Sequence, residues 1–299
     1  MFAGLCAFPI TPVTATGTDD QALAGLVRRI STAGADSIGI LGSTGGYAYL
    51  PRKERARIIR TAVDAAGAVP VVAGIGALTT DEVLRLAEDA QQAGASGVLL
   101  APMTYQPLTA GEVYGLYADT VRELSVPLCV YDNPGTTGFH FADELHARIA
   151  HLPQVASIKI PAVPLDEAAA AERISRLRRL VPVDVTLGIS GDWSAATALN
   201  SGCAGWYSVV GGLFPDAALR ITWAARDGRP GDARAASEQL EPLWALFRRY
   251  GSLRVISAAA EIAGLVRQAW LPRPLLPLDP GARHDVEHAL AIAGLHPRA

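Results

Sequence analysis

Short apolar runs alternate along this chain with longer amphipathic stretches, and a glycine or a proline stands at most of the junctions. Two kinds of strand entry recur. In one, a helical pattern ends at a glycine, the residue that most readily takes the left-handed turn past a last helical residue, and an apolar run follows at once. Ala33-Gly34-Ala35 precedes 37–41 in this way, Ala93-Gly94-Ala95 precedes 97–100, and Ser201-Gly202 precedes 205–210. In the other, proline introduces the run: Pro70 before 71–73, Pro127 before 128–131, Pro153 before 155–160 and Pro182 before 183–187. An N-terminal run at 4–9 brings the count to eight strands, and amphipathic segments such as 21–33, 51–66, 81–93 and 111–124 predict the helices between them.

Strands that are apolar on both faces and joined through helices belong to a parallel sheet covered on both sides. Eight of them predict the α/β class and a closed (β/α)8 TIM barrel, with an open doubly wound sheet as the second choice. Such a barrel takes about 250 residues, so a chain of 299 carries a surplus. The surplus falls at the C-terminal end. There 231–250 and 253–270 read as helices, 271–277 as a proline-rich linker, and Asp279-Pro280 as the opening of a last helix. The expected organisation is a barrel over 1–228 and a helical region over 229–299.

Composition narrows the partners. Half of the residues are apolar, which excludes global disorder, and a net charge of −3 with interspersed signs leaves no basic stripe for nucleic acid and no polybasic segment for a membrane. No apolar run approaches the ~18 residues of a membrane span, and the N-terminus lacks a basic region and reaches Pro9 too early for a secretory signal. Cys6, Cys129 and Cys203 are odd in number, far apart and set in apolar runs. Buried free thiols and a cytoplasmic location are expected.

Lysine usage singles out one position. Of 26 basic residues only Lys53 and Lys159 are lysine. Lys53 opens a charged helix, where a solvated cation is ordinary. Lys159 lies between Ile158 and Ile160 in an apolar run stopped by Pro161. Such a setting strips hydration from the ammonium and lowers its pKa, which makes a nucleophile; the plainer alternative is an edge lysine whose stem lies on apolar surface.

A barrel carries its active site at the C-terminal ends of its strands. Those ends read Gly42-Ser43-Thr44-Gly45-Gly46, Met103-Thr104-Tyr105, Tyr131-Asp132-Asn133-Pro134-Gly135-Thr136, Lys159, Ser190-Gly191-Asp192 and Tyr207-Ser208. The Gly42–Gly46 stretch is either a capping turn or a nest of backbone N–H groups and hydroxyls facing a small anion. Tyr131 is either a barrel aromatic or a phenol near Lys159 able to pass protons. Asp192-Trp193 reads as a helix cap and its packing partner. His284-Asp285-Val286-Glu287-His288 matches a zinc-hydrolase pattern but lacks a further acidic ligand, and Gly74-Ile75-Gly76 lacks the third glycine of a dinucleotide site. No metal and no cofactor are expected.

Together, Gly42-Ser43-Thr44-Gly45, Val130-Tyr131-Asp132-Asn133-Pro134 and Ser157-Ile158-Lys159 resemble the G-[TS]-T-G-E, Y-N-x-P and G-[IL]-K signatures of the dihydrodipicolinate synthase and N-acetylneuraminate lyase family of class I aldolases. The resemblance covers nearly the whole chain. It implies a Schiff base between Lys159 and the keto carbon of pyruvate or another 2-oxo acid, with an aldehyde as the second partner. Tyr131 would be the proton donor and acceptor, Ser43 would relay protons to it, and Thr44 would hold the carboxylate. The backbone at Tyr207 and Gly191 would line the pocket. Dimers paired into tetramers are also implied.

Three positions depart from the pattern. Gly46 stands in place of the glutamate. Thr104 falls where many members place a relay tyrosine, with Tyr105 following it. Thr136 falls where true dihydrodipicolinate synthases place an arginine for the second substrate's carboxylate, and the strand ends quoted above contain no arginine. The expected activity is a Schiff-base lyase or aldolase with an unidentified aldehyde. The alternatives are a true 4-hydroxy-tetrahydrodipicolinate synthase and an idle keto-acid sensor.

Overall fold

A computed structural model of the chain describes residues 1–14, 17–268 and 271–295. Its centre is a closed barrel of eight parallel strands: β1 (Gly4–Ala7), β2 (Ser37–Ile40), β3 (Val71–Gly74), β4 (Gly97–Leu100), β5 (Leu128–Tyr131), β6 (Val155–Ile160), β7 (Thr186–Ile189) and β8 (Gly205–Ser208). Each strand pairs with the next in the chain, and β8 closes onto β1. Glycines end the first helices as the pattern predicts: Gly34, at φ 89°, returns its N–H to Ile30 and Ser31 behind the helix Asp20–Ala33. Polar caps start three of the first four. Asp19 and Thr79 accept from the first turns of their helices, and Thr109 with Glu112 forms a reciprocal capping box for Ala110–Arg122.

The apolar pattern sorts into two packed layers. Most of the buried aliphatic residues fill the space between sheet and helices. A smaller cluster, which includes Cys6, Phe8, Val72, Cys129, Tyr131 and Tyr207, fills the barrel itself. On β5, Cys129 and Tyr131 are two residues apart and so share the inward face; Ser157 and Lys159 do the same on β6. The barrel's polar chemistry is therefore carried by these inward columns.

Five expectations need correction. The first strand, expected over 4–9, ends at Ala7, ahead of Pro9, which has no N–H to pair. The seventh strand begins at Thr186, because Pro182 opens a turn in which Val185 N–H donates to the Pro182 carbonyl at 3.2 Å, and Val183 is 95% exposed. The eighth ends at Ser208, since the N–H groups of Val209 and Val210 turn to the Asp192 carboxylate. The stretch 231–250 forms two helices, Pro230–Glu238 and Glu241–Tyr250; Pro242 has no N–H to continue the first and sits in the opening turn of the second. The helix expected over 253–270 is Ser252–Ile262, closed by Gly264 in the left-handed conformation; Ala269 and Trp270 lie outside the described residues. A short antiparallel pair, Val13–Thr14 with Gly17–Thr18, was not anticipated. The last helix is Pro280–Ile292, capped by Asp279 as expected. Among the described residues no helix is long and apolar enough to cross a membrane.

Candidate active site

Lys159 is 4% exposed, and its side chain enters the barrel among three aromatic rings. Its Nζ lies 3.9 Å from the ring centroid of Tyr131, 4.3 Å from that of Phe8 and 5.5 Å from that of Tyr207. Missing side chains make room for two of these rings. A Cβ on Gly39 would stand 2.1 Å from Phe8 Cζ, and one on Gly188 would stand 2.3 Å from Tyr207 Cε2. Burial pushes the Lys159 ammonium down from 10.5 to about 8, opposed in part by Cys129, Cys6 and Asp192. A useful fraction of neutral amine is thus present near neutral pH.

Tyr131 is the Cα partner of Lys159 across the β5–β6 ladder and is itself buried. Burial pushes its phenol upward, and a hydrogen bond from Asn133 opposes the shift. Asn133 Nδ2 donates to the Tyr131 hydroxyl oxygen at 2.9 Å and to Thr136 Oγ1 at 2.5 Å. Ser43, expected to relay protons to Tyr131, makes no direct hydrogen bond to its phenol oxygen among the described residues; that oxygen accepts from Asn133, a residue the sequence reading passed over.

Ser43 and Thr44 face the same cavity as Lys159 and Tyr131. The turn that carries them leaves β2 through Leu41, which holds φ at 54°, an unfavourable backbone conformation for a γ-branched L-residue. Among the described residues the N–H groups of Ser43, Thr44 and Gly45 donate to no protein acceptor. A strained turn that presents free amides and two hydroxyls beside a buried amine suits a small carboxylate.

Tyr207, expected to line the pocket through its backbone, places its ring beside Lys159. Its hydroxyl lies 2.6 Å from Ser157 Oγ and receives Cys129 Sγ at 3.2 Å, so the phenol is anchored beneath Lys159. Asp192 caps no helix of its own. It is 2% exposed, and its carboxylate accepts from Trp206 Nε1 at 3.0 Å, Val209 N–H at 3.1 Å and Val210 N–H at 2.7 Å, which ties the β7 and β8 ends together. Burial raises its pKa to about 6 despite these donors.

The cavity around Lys159 measures about 310 Å³ and also meets Gly191, Asn133, Thr136 and, from the C-terminal helices, Phe247 and Ser252. A second cavity of about 330 Å³ shares Ser43, Thr136 and Ser252 with it and adds Thr104 and Arg254. The strand ends contain no arginine, but the C-terminal region brings Arg254 to the adjoining wall. Thr104 Oγ1 is turned to the Gln106 carbonyl, and Tyr105 is 87% exposed and lines neither cavity. His284 is exposed, with Nδ1 3.8 Å from Glu287, and no group of three metal-ligating side chains occurs among the described residues.

Known proteins share this fold over almost the whole chain. The model of the dihydrodipicolinate synthetase family matches residues 1–293. A 4-hydroxy-tetrahydrodipicolinate synthase of Thiobacillus denitrificans is 34% identical over 94% of this chain and 93% of its own. The crystal structure of a dihydrodipicolinate synthase from Agrobacterium tumefaciens is 45% identical, covers 98% of both chains and superposes with a TM-score of 0.94. A dihydrodipicolinate synthase of Acinetobacter baumannii, solved in complex with pyruvate, is 25% identical with a TM-score of 0.88 over 99% of this chain and all of its own. This chain belongs to the dihydrodipicolinate synthetase family and is a carbon–carbon lyase of the class I, Schiff-base type.

Proposed function

We propose that the chain makes or breaks a carbon–carbon bond between pyruvate, or a close 2-oxo acid, and an aldehyde that carries no carboxylate next to Thr136. The observation that carries this reading is the Lys159 amine, buried and lowered to about 8, against Tyr131 in a cavity also lined by Ser43 and Thr44. The amine adds to the keto carbon, and the carbinolamine then loses its hydroxyl as water with a proton supplied by Tyr131. The resulting iminium draws electrons from the adjacent carbon, which gives its proton to the Tyr131 phenolate to form the enamine; the enamine carbon attacks the aldehyde, whose carbonyl oxygen takes that proton back from Tyr131. Thr44 and its neighbouring amides hold the carboxylate throughout, and Gly191 lines the same cavity.

Thr136 supports the choice of acceptor. Arginine grips a carboxylate with two charge-assisted bonds, whereas threonine offers one neutral hydroxyl. A homo-oligomer, dimer or tetramer, acting in the cytoplasm is part of the same proposal, as is the division into a barrel over 1–228 and a helical region over 229–299. Incubation of the protein with pyruvate and a panel of uncharged and carboxylated aldehydes, read as loss of pyruvate, tests the reading. Consumption with an uncharged aldehyde is expected; no consumption with any aldehyde, and no pyruvate formed in the reverse direction from the matching aldols, would overturn it.

A further inference from the structure

We propose that Asn133 is the positioning residue of Tyr131, that its side-chain amide holds the phenol while its proton is away, and that Thr136 fixes that amide. The inference rests on the Schiff-base reading above and deepens it.

Asn133 occupies the N-cap of the short helix Pro134–Thr137, yet its side chain makes no capping bond. Asparagine is favoured at that place because its side-chain oxygen accepts from the first turn. Here the first-turn N–H groups of Thr136 and Thr137 donate to the Asn133 backbone carbonyl, at 3.1 and 3.0 Å, which frees the side chain. Both protons of the freed amide are engaged, one on the Tyr131 oxygen at 2.9 Å and one on Thr136 Oγ1 at 2.5 Å. Two anchors and a backbone held by the helical turn leave the amide little freedom to rotate.

The direction of that bond matters for the chemistry. Because the Tyr131 oxygen accepts from Asn133, its own proton is left to face the cavity. When that proton passes to the departing hydroxyl of the carbinolamine, the carbon–oxygen bond breaks, water leaves, and the negative charge falls on the phenol oxygen. An N–H donor is already aimed at that oxygen and need not reorganise. Among the described residues Ser43, expected to relay protons here, makes no direct bond to this oxygen, and at the relay position Thr104 is turned to the Gln106 carbonyl. Asn133 thus takes over the support of the phenolate within one chain, without itself carrying the proton.

Rapid mixing with pyruvate, quenching with borohydride and weighing the intact protein gives the rate of imine formation. Asn133→Ala should slow it about ten- to a hundredfold, the usual worth of a bond to a charged group, while the pyruvate concentration for half-maximal rate moves less than about threefold. Thr136→Val should lower the rate in the same direction and Thr136→Ser should recover it. Asn133→Asp, equal in shape but a poor donor, should lose at least as much as Asn133→Ala. In a Tyr131→Phe background Asn133→Ala should cost nothing further, because its only route to the chemistry is gone. An equal loss in both backgrounds, or a wild-type rate for Asn133→Ala, overturns the inference. Thermal melting identifies any variant that has lost its fold, and the Thr136 pair then decides by the same criterion. If the wild-type protein itself traps no pyruvate, the Schiff-base reading fails and the inference with it; trapping with additive variants sinks the inference alone.

Discussion

Tyr131 and Lys159 are Cα partners on adjacent parallel strands, and the lysine nitrogen lies 3.9 Å from the tyrosine ring centroid. The relationship comes from the β5–β6 register, which slips between Leu128 and Cys129 so that Cys129 pairs with Ser157 and Tyr131 with Lys159. Without that irregularity the phenol would be offset along the ladder from the amine. The proposed nucleophile and proton donor are therefore placed by backbone pairing between adjacent strands.

A proton donor used in bond making and breaking contributes to transition states more than to binding. Tyr131→Phe should accordingly reduce the rate of pyruvate condensation about 10²- to 10⁴-fold and leave the pyruvate dissociation constant nearly unchanged. A large, matching rise in the dissociation constant would instead make Tyr131 a binding residue.

The pH dependence follows from Lys159. Only the neutral amine attacks, and its pKa is lowered by burial to about 8. Imine formation should therefore rise as pH increases, level off above about 8, and at pH 6 run about a hundredfold below the plateau. The Tyr131 phenol, pushed upward, stays protonated across this range. A rate that falls between pH 6 and 8 contradicts the assignment.

Burying the same amine costs stability. Below about pH 8 Lys159 is protonated in both folded and unfolded chains, so the full penalty, about 3 kcal/mol for a pKa moved from 10.5 to about 8, is present. As pH rises from 8 towards 10.5 the folded chain loses its proton first and the penalty fades. Lys159→Met should therefore melt higher than wild type at pH 7, and the difference should shrink by pH 10. A variant less stable than wild type at pH 7 would mean that Lys159 is held by favourable contacts.

For the second substrate, aspartate semialdehyde should be a poor acceptor compared with uncharged aldehydes, because the loss of a charged hydrogen-bond partner weakens its use by roughly one to two orders of magnitude. Thr136→Arg should raise the ratio of semialdehyde to uncharged-aldehyde turnover, a ratio that cancels any effect of losing the Thr136 hydroxyl on Asn133. Among the described residues lining the two cavities, Arg254, on the wall of the adjoining one, is the one arginine that could supply the missing charge. Preferred use of the semialdehyde, abolished by Arg254→Gln and unchanged by Thr136→Arg, would show that the C-terminal helices and not Thr136 set the acceptor.

Much of this was legible in the sequence. Glycine and proline punctuation located seven of the eight strands and the N-terminal apolar run the other, with three matched to the residue, and the isolated lysine in an apolar run marked Lys159. Elements misread were those where local signals compete: Val183 reads as a strand residue, yet the turn from Pro182 satisfies its backbone, and Pro242 hid a helix break inside a favourable pattern. What could not be read was side-chain direction. Nothing local distinguishes an Asn133 that caps its helix from one turned to Tyr131, or a Tyr207 that lends only backbone from one whose ring fills the space left by Gly188. Phe8, Phe247 and Arg254 reach the cavities from remote segments, and only tertiary packing brings them there.

The account stands most directly on covalent capture at one amine. Pyruvate with borohydride, followed by digestion and mass spectrometry, should place a single reduced adduct on Lys159, and Lys159→Met should abolish it. Adduct on Lys53, which opens a helix far from the barrel interior, or no adduct at all, would contradict it.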